Sequence, residues 1–342
     1  MADISVGILG LGRIGASVAL ALKRYNRRQD RAHNFRVTGY AANSVQGRAA
    51  QKLNACDSIA RDVVEAVRGK DIIVMALPYS DVEGAYRYIG QDLRTGAVIM
   101  DFSPLKQPSL VWAKKHVQPG SHLLGVTPIL NPKYVFDAVD ETERASEDLF
   151  DDGIFMLVPS VTCIPEAIEL GRDFAEVLGA ASQFSDPAEN DSFIAATEAL
   201  PALMGLAYYM TLHGSQGWSD VQRFTNPAFG QLTHHLFDTH PDDLRDLWVN
   251  NRDSLMRYTD ELMTTLRSLR RVMAENDTAA LEAAIGGASA EYETWYNRRL
   301  KMDWDQEPIP RAAEGPDIMS SIFGGYLANR LRGKRDQSEE QD

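Results

Sequence analysis

Residues 4–25 read ISVGILGLGRIGASVALALKRY: an apolar β-rich run, the loop Gly10-Leu11-Gly12-Arg13-Ile14-Gly15, then a helix rich in small residues. Few folds are open to a chain that begins this way. Gly10 supplies a tight turn, Gly12 a bare backbone through which a diphosphate reaches the first helical amides, and Gly15 close packing of helix on strand. A strand before and a helix after are the context the pattern requires. They predict a dinucleotide site that includes Gly10, Gly12, Arg13, Ile14 and Gly15. The stretch is apolar enough to imitate a signal peptide, but Asp3 stands where basic residues would precede the apolar region and Arg13 interrupts it.

Downstream, the runs FRVTGYA, DIIVMALP, AVIMDFS, HLLGVTP and GIFMLVPS alternate with helical stretches. Nearly continuous apolar strands separated by helices predict an α/β domain of the Rossmann type, with a parallel sheet covered on both faces. HLLGVTPILNP is expected to leave its strand at two pairs, Thr127-Pro128 and Asn131-Pro132, which fix a ligand-presenting loop. PEAIELGRDFAEVLG predicts a helix closed by Gly179, and AASQFSD a last strand.

After about residue 187 strand-like runs vanish. Leu255, Leu262, Leu266, Leu269 and Met273 recur at helical spacing, the seam of a long helix that packs on others. The expected organisation is a dinucleotide-binding domain over 1–186, an all-α substrate and dimerisation domain over 187–332, and a polar tail over 333–342. A homodimer through the helical half is expected, because its seams offer more apolar surface than one small bundle hides.

The formal net charge of -13 argues against nucleic acid or an anionic membrane surface, so an anionic substrate must meet local cations. Two cysteines, Cys56 and Cys163, stand in no metal spacing and fit a reducing cytoplasm. No metal site is expected. FIAATEALPALMGLAYYMTL contains Glu198 and Pro201 and is a poor membrane span.

The second strand of such a fold normally ends in an acidic residue that holds the adenosine ribose. VTGYAANSVQGR has none. Asn43, Ser44 and Arg48 would instead meet a 2'-phosphate with donors, which favours NADP over NAD. The alternative for Arg48 is a solvated helix residue.

The order of landmarks resembles the prephenate and arogenate dehydrogenase family: the glycine loop, DIIVMALP, MDFSPLK with Asp101 and Lys106, LLGVTP, ENDSFIAATEALP, GWSDVQRFTN and LWVNNRDSLM. The resemblance implies a homodimeric, NAD(P)-dependent enzyme of tyrosine biosynthesis, with Leu77 and Pro78 beside the cofactor. Members transfer a hydride from the carbon bearing the 4-hydroxyl of a cyclohexadienyl acid, with decarboxylation. Their histidine before proline corresponds to Thr127, their serine two residues before the lysine to Pro104, and their carboxylate-binding arginine to Arg223. Their serine-histidine pair before Leu-Pro reads Glu198-Ala199.

Thr127 can donate or accept a hydrogen bond but is no base near neutral pH. Glu198, inside an apolar helix and seven residues after Asp191, shares its face and is a candidate replacement, with a pKa raised by burial. A structural ion pair is the alternative for it. Arg223 matches a carboxylate bidentately, or pairs between helices. Three functions stay open: a dehydrogenase of this family, a reductase acting on an imine or keto acid, and a non-catalytic nucleotide-binding dimer.

Overall fold

The computed structural model describes residues 2–137 and 139–304, so the expected tail and the end of the expected helical half lie outside the described residues. Eight strands form one sheet in the order β3-β2-β1-β4-β5-β6-β7-β8. They are β1 Ala2–Leu9, β2 His33–Tyr40, β3 Ser58–Ile59, β4 Ile72–Met75, β5 Val98–Asp101, β6 His122–Ile129, β7 Ile154–Pro159 and β8 Ala181–Phe184. Helices α1 Arg13–Asn26, α2 Ser44–Lys52, α3 Val63–Val67, α4 Val82–Ile89, α5 Lys106–His116 and α6 Pro165–Leu178 connect them. Two apolar clusters fill the sheet's faces, one around Val6, Val37 and Phe174, the other around Ile73, Ile99 and Tyr86. α6 ends at Gly179, whose φ of 92° is left-handed, as its sequence predicts.

The sheet departs from the all-parallel expectation at one place. β7 runs antiparallel to β6, while every other neighbour is parallel. Between β6 and β7 the described residues form short 3-10 turns, Pro132–Tyr134 and Thr142–Arg144. Among the described residues no α-helix carries the chain back to the start of the sheet, and the strand returns in the opposite sense.

β6 also runs further than its sequence suggests, through Thr127 and Pro128 to Ile129. Its pairing with β5 ends at Gly125, opposite Asp101, whereas pairing with β7 continues to Ile129. The His122 amide faces β5, bonding Ala97, and strand alternation therefore turns Pro128 to that same, now partnerless, side. A proline is tolerated there because no donor is needed.

The helical half begins at Pro187. Helix α7 Pro187–Ile194 passes through a π-helical turn, Ala195–Ala199, into α8 Leu200–His213. Pro201 has no amide to give and its ring crowds the carbonyl of Thr197, so the ladder widens. Across this turn Asp191 and Glu198 both act on the Lys106 ammonium. The run Pro187–His213 is long and apolar enough to cross a membrane by length and composition. Its Asn190 and Asp191 are instead bonded to the segment between β5 and α5.

By its contacts the chain divides into two compact units, the first ending at Thr259 and the second beginning at Asp260. The first holds the sheet and also α9 Trp218–Val221, α10 Pro227–Thr233, α11 His235–Asp238 and α12 Pro241–Asn250. Helix α13, Arg252–Ala274, crosses the division, and α14, Thr278–Lys301, belongs to the second unit. Of the expected seam, Leu255 is buried, whereas Leu266 and Met273 are 54% and 58% exposed.

Candidate active site

The glycine loop separates what the fold demands from what a ligand demands. A Cβ on Gly10 would meet the Ala76 carbonyl oxygen at 2.0 Å, and one on Gly15 the Gly10 carbonyl oxygen at 1.9 Å. Both positions are closed by the protein itself. At Gly12 the nearest atoms, Asp140 Oδ1 and Gln46 Nε2, stand 3.9 Å off. The fold leaves room there, so packing does not explain the bare backbone. Gly12 is also the N-cap of α1; it has no side chain to cap the helix, and no acidic residue lies in the first turn. The amides of a helix start fit a diphosphate.

Arg13 and Ile14 begin α1, but the Arg13 side chain is buried and turned away from solvent. Its guanidinium donates to the carbonyls of Asp137 and Val139 at 2.7 and 2.9 Å and pairs with the Asp137 carboxylate at 3.1 Å. Thr142 donates to the Leu11 carbonyl at 2.7 Å. The β6–β7 connection is thus bolted to the glycine loop. It carries Asp140 over Gly12; crowding pushes that carboxyl's pKa up, against the pull of the Arg13 amide and guanidinium.

On α2, Asn43 caps the helix through the Val45 amide at 2.8 Å, and Arg48 donates to the Ser44 hydroxyl at 3.3 Å. These three side chains occupy one exposed turn after β2. Leu77 and Pro78 follow β4, with the Leu77 amide beside Gly10.

Thr127 opens a second cluster at the carboxyl ends of the parallel strands, the side on which open α/β sheets bind ligands. Half-buried, it donates from Oγ1 to Asn190 Oδ1 at 2.7 Å. Asn190 Nδ2 donates to the Pro104 carbonyl at 3.1 Å and to Asp191 Oδ1 at 3.2 Å. The Asp191 carboxylate accepts the amides of Lys106 at 2.6 Å and Gln107 at 3.0 Å, capping α5 from another helix. Pro104 contributes its carbonyl.

Lys106 is buried, and its ammonium donates to the carbonyls of Asp101, Ser103 and Val126. Burial lowers its pKa to about 8, with Asp101, Asp191 and Glu198 opposing the drop. Glu198 lies in the π turn. The residue is exposed on the helix surface, yet the protein atoms around its carboxyl raise its pKa, while the Lys106 ammonium pulls the other way. Thr127, Lys106 and Glu198 therefore share one electrostatic neighbourhood.

Arg223 does not join them within this chain. It is exposed on a turn, Gln222–Phe224, beyond Trp218, which rests on His213 at the far end of α8. Asn190 is the site residue that sequence reading missed. Its only signal was its place beside Asp191 in the ENDSF landmark.

A doubly wound sheet with a glycine cradle at the start of α1 fits a nucleotide-binding protein. Residues 18–184 match the family described as prephenate dehydrogenase, nucleotide-binding domain. The chain is similar to the cyclohexadienyl dehydrogenase of Zymomonas mobilis, 23% identical over 80% of this chain and 89% of that one. It is similar also to the prephenate dehydrogenase of Bacillus subtilis, 23% identical over 80% and 71%. Its fold matches that of the A. aeolicus prephenate dehydrogenase bound to hydroxyphenyl propionate and NAD+, with a TM-score of 0.68 at 17% identity, covering 88% of this chain and 98% of that one. Synechocystis arogenate dehydrogenase gives a TM-score of 0.63 at 19% identity, covering 85% and 100%. Over residues 18–184 the chain carries the nucleotide-binding domain of the prephenate dehydrogenase family, and it is an NAD(P)-dependent dehydrogenase.

Proposed function

We propose that the protein oxidises prephenate or arogenate, with NADP preferred over NAD, as a cytoplasmic homodimer. When bound, the nicotinamide accepts the hydride that leaves the ring carbon bearing the 4-hydroxyl, as carbon dioxide departs and the ring becomes aromatic. That hydroxyl persists as the phenol of the product, so the reaction needs no net proton acceptor. This removes the objection that Thr127 is no base. Its hydroxyl orients the reacting oxygen, and the ionised Glu198 stabilises the positive character the ring acquires as hydride leaves.

The observation that carries this reading is the meeting of Thr127, Lys106 and Glu198 at the strand ends. Asn43, Ser44 and Arg48, with no acid at the end of β2, support the NADP preference. Support for the dimer comes from Met210, Phe237, Leu266, Met273 and Ile285, each more than half exposed. Because Arg223 lies at the other end of α8 from Glu198, its guanidinium serves as the carboxylate ligand in the assembly, where the exposed face of one copy meets the cleft of the other.

The test is an assay of both acids with both cofactors. Turnover of one acid is expected, with a lower KM for NADP than for NAD. Arg223→Met should mainly raise KM for the acid, by roughly 2 kcal/mol of lost binding. Tight dinucleotide binding without oxidation of either acid would overturn the substrate assignment.

A further inference from the structure

The hydrogen bonds around Asn190 fix more than its position. Asn190 Nδ2 faces two oxygens, the Pro104 carbonyl at 3.1 Å and the Asp191 carboxylate at 3.2 Å. The Asp191 carboxylate already accepts two backbone amides. Neither oxygen has a proton to give, so the amide nitrogen must point at them and the amide oxygen at Thr127. Asn190 Oδ1 can only accept. The Thr127 proton is therefore committed to it, across 2.7 Å.

A threonine hydroxyl has one proton and two lone pairs. With the proton spent on Asn190, what Thr127 still offers a ligand is acceptor capacity alone. We infer that Asn190 is a positioning residue that makes Thr127 an obligate hydrogen-bond acceptor, so that the site selects a reacting group that carries its own proton, an alcohol or phenol, over a carbonyl or phenolate. This rests on the reading that Thr127 faces the reacting oxygen.

The chemistry gives such an acceptor a use. As hydride leaves the carbon, its hydroxyl oxygen becomes electron-poor and its O–H a stronger donor. A hydrogen bond that Thr127 accepts therefore tightens toward the transition state, whereas one that Thr127 donated would weaken. Interactions that strengthen only there raise kcat. The same polarity disfavours carbonyl reduction, in which a developing alkoxide needs a donor. A reductase acting on a keto acid would want Thr127 the other way round.

The test uses 3-(3,5-difluoro-4-hydroxyphenyl)propionate, whose phenol ionises near neutral pH and changes absorbance as it does. With saturating NADP+ or NAD+ present, the bound phenol should titrate at least about one pH unit above the ligand in water, a tenfold preference for the protonated form. Asn190→Leu deletes the acceptor and releases the Thr127 proton to the ligand, which should erase several-fold of that preference. In a Thr127→Val background, Asn190→Leu should change nothing, since no hydroxyl remains to turn. That dependence separates a directed hydroxyl from mere loosening of the site.

An Asn190→Leu effect of the same size with and without Thr127, or none at all, would overturn the inference while leaving the substrate reading intact. Failure of the wild-type protein to bind the phenol with the dinucleotide in place would bring down both. Circular dichroism and a dinucleotide titration on each variant show that the fold and the cofactor end have survived the substitution.

Discussion

The glycine loop and the Thr127 cluster lie on one sheet and are built by opposite means. At the loop the construction is a matter of backbone: Gly10 and Gly15 are closed by carbonyl oxygens near 2 Å, and Gly12 is open. At the strand ends it is a matter of side chains, each held by another: Thr127 by Asn190, Asn190 by Asp191 and the Pro104 carbonyl, Asp191 by two amides. A backbone site tolerates few residue types and so announces itself in the chain. A side-chain site can be rewritten as a set, because its members, here Thr127, Asn190 and the Pro104 carbonyl, are joined by hydrogen bonds.

The contrast can be broken most directly at Gly12. Gly12→Asp should abolish dinucleotide binding in calorimetry, a loss of at least about a hundredfold or roughly 3 kcal/mol, because a carboxylate would stand where the diphosphate lies. The melting temperature should hardly move, since nothing lies within 3.9 Å of the added Cβ. Unchanged binding would mean that the bare backbone serves no ligand.

The side-chain end is sharpened by Glu198→Gln. Because burial raises the Glu198 pKa above its ordinary 4.5, its charge is lost as pH falls through that raised value, and kcat should show an acidic limb there. The glutamine variant should lose that limb and turn over about tenfold to a hundredfold more slowly. A retained limb would assign it to another group.

The smallest expected effect lies where the two ends touch. Asp140, carried on the β6–β7 connection, faces Gly12 with a carboxylate that a diphosphate must displace or endure. Asp140→Asn should tighten dinucleotide binding several-fold, of order 1 kcal/mol. Weaker binding would show that Asp140 is a partner of the cofactor and not its rival.

What the chain made legible follows the same division. The strand–glycine loop–helix pattern and the Gly179 terminus rest on local rules, and each stands in the structure. Antiparallel β7 was not legible, because near-continuous apolar runs look alike in either direction. Nor was the π turn over Ala195–Ala199, although Pro201 could have warned of it: spacing arguments assume an unbroken ladder, and a proline four residues past Thr197 breaks it. Asn190 escaped because its role lies in partners 63 and 86 residues away.

The overhang of β6 past Asp101 leaves a stretch of strand edge without β5 beside it. Such an edge is a template on which another chain can add itself, the first step toward aggregation. Here the Val126 carbonyl is already occupied by the Lys106 ammonium at 3.0 Å, and the next residue facing that side, Pro128, has no amide to offer. An intruding strand would find one acceptor taken and one donor missing. The lysine and the proline thus act as a pair of gatekeepers, letting β6 outrun its neighbour without becoming adhesive.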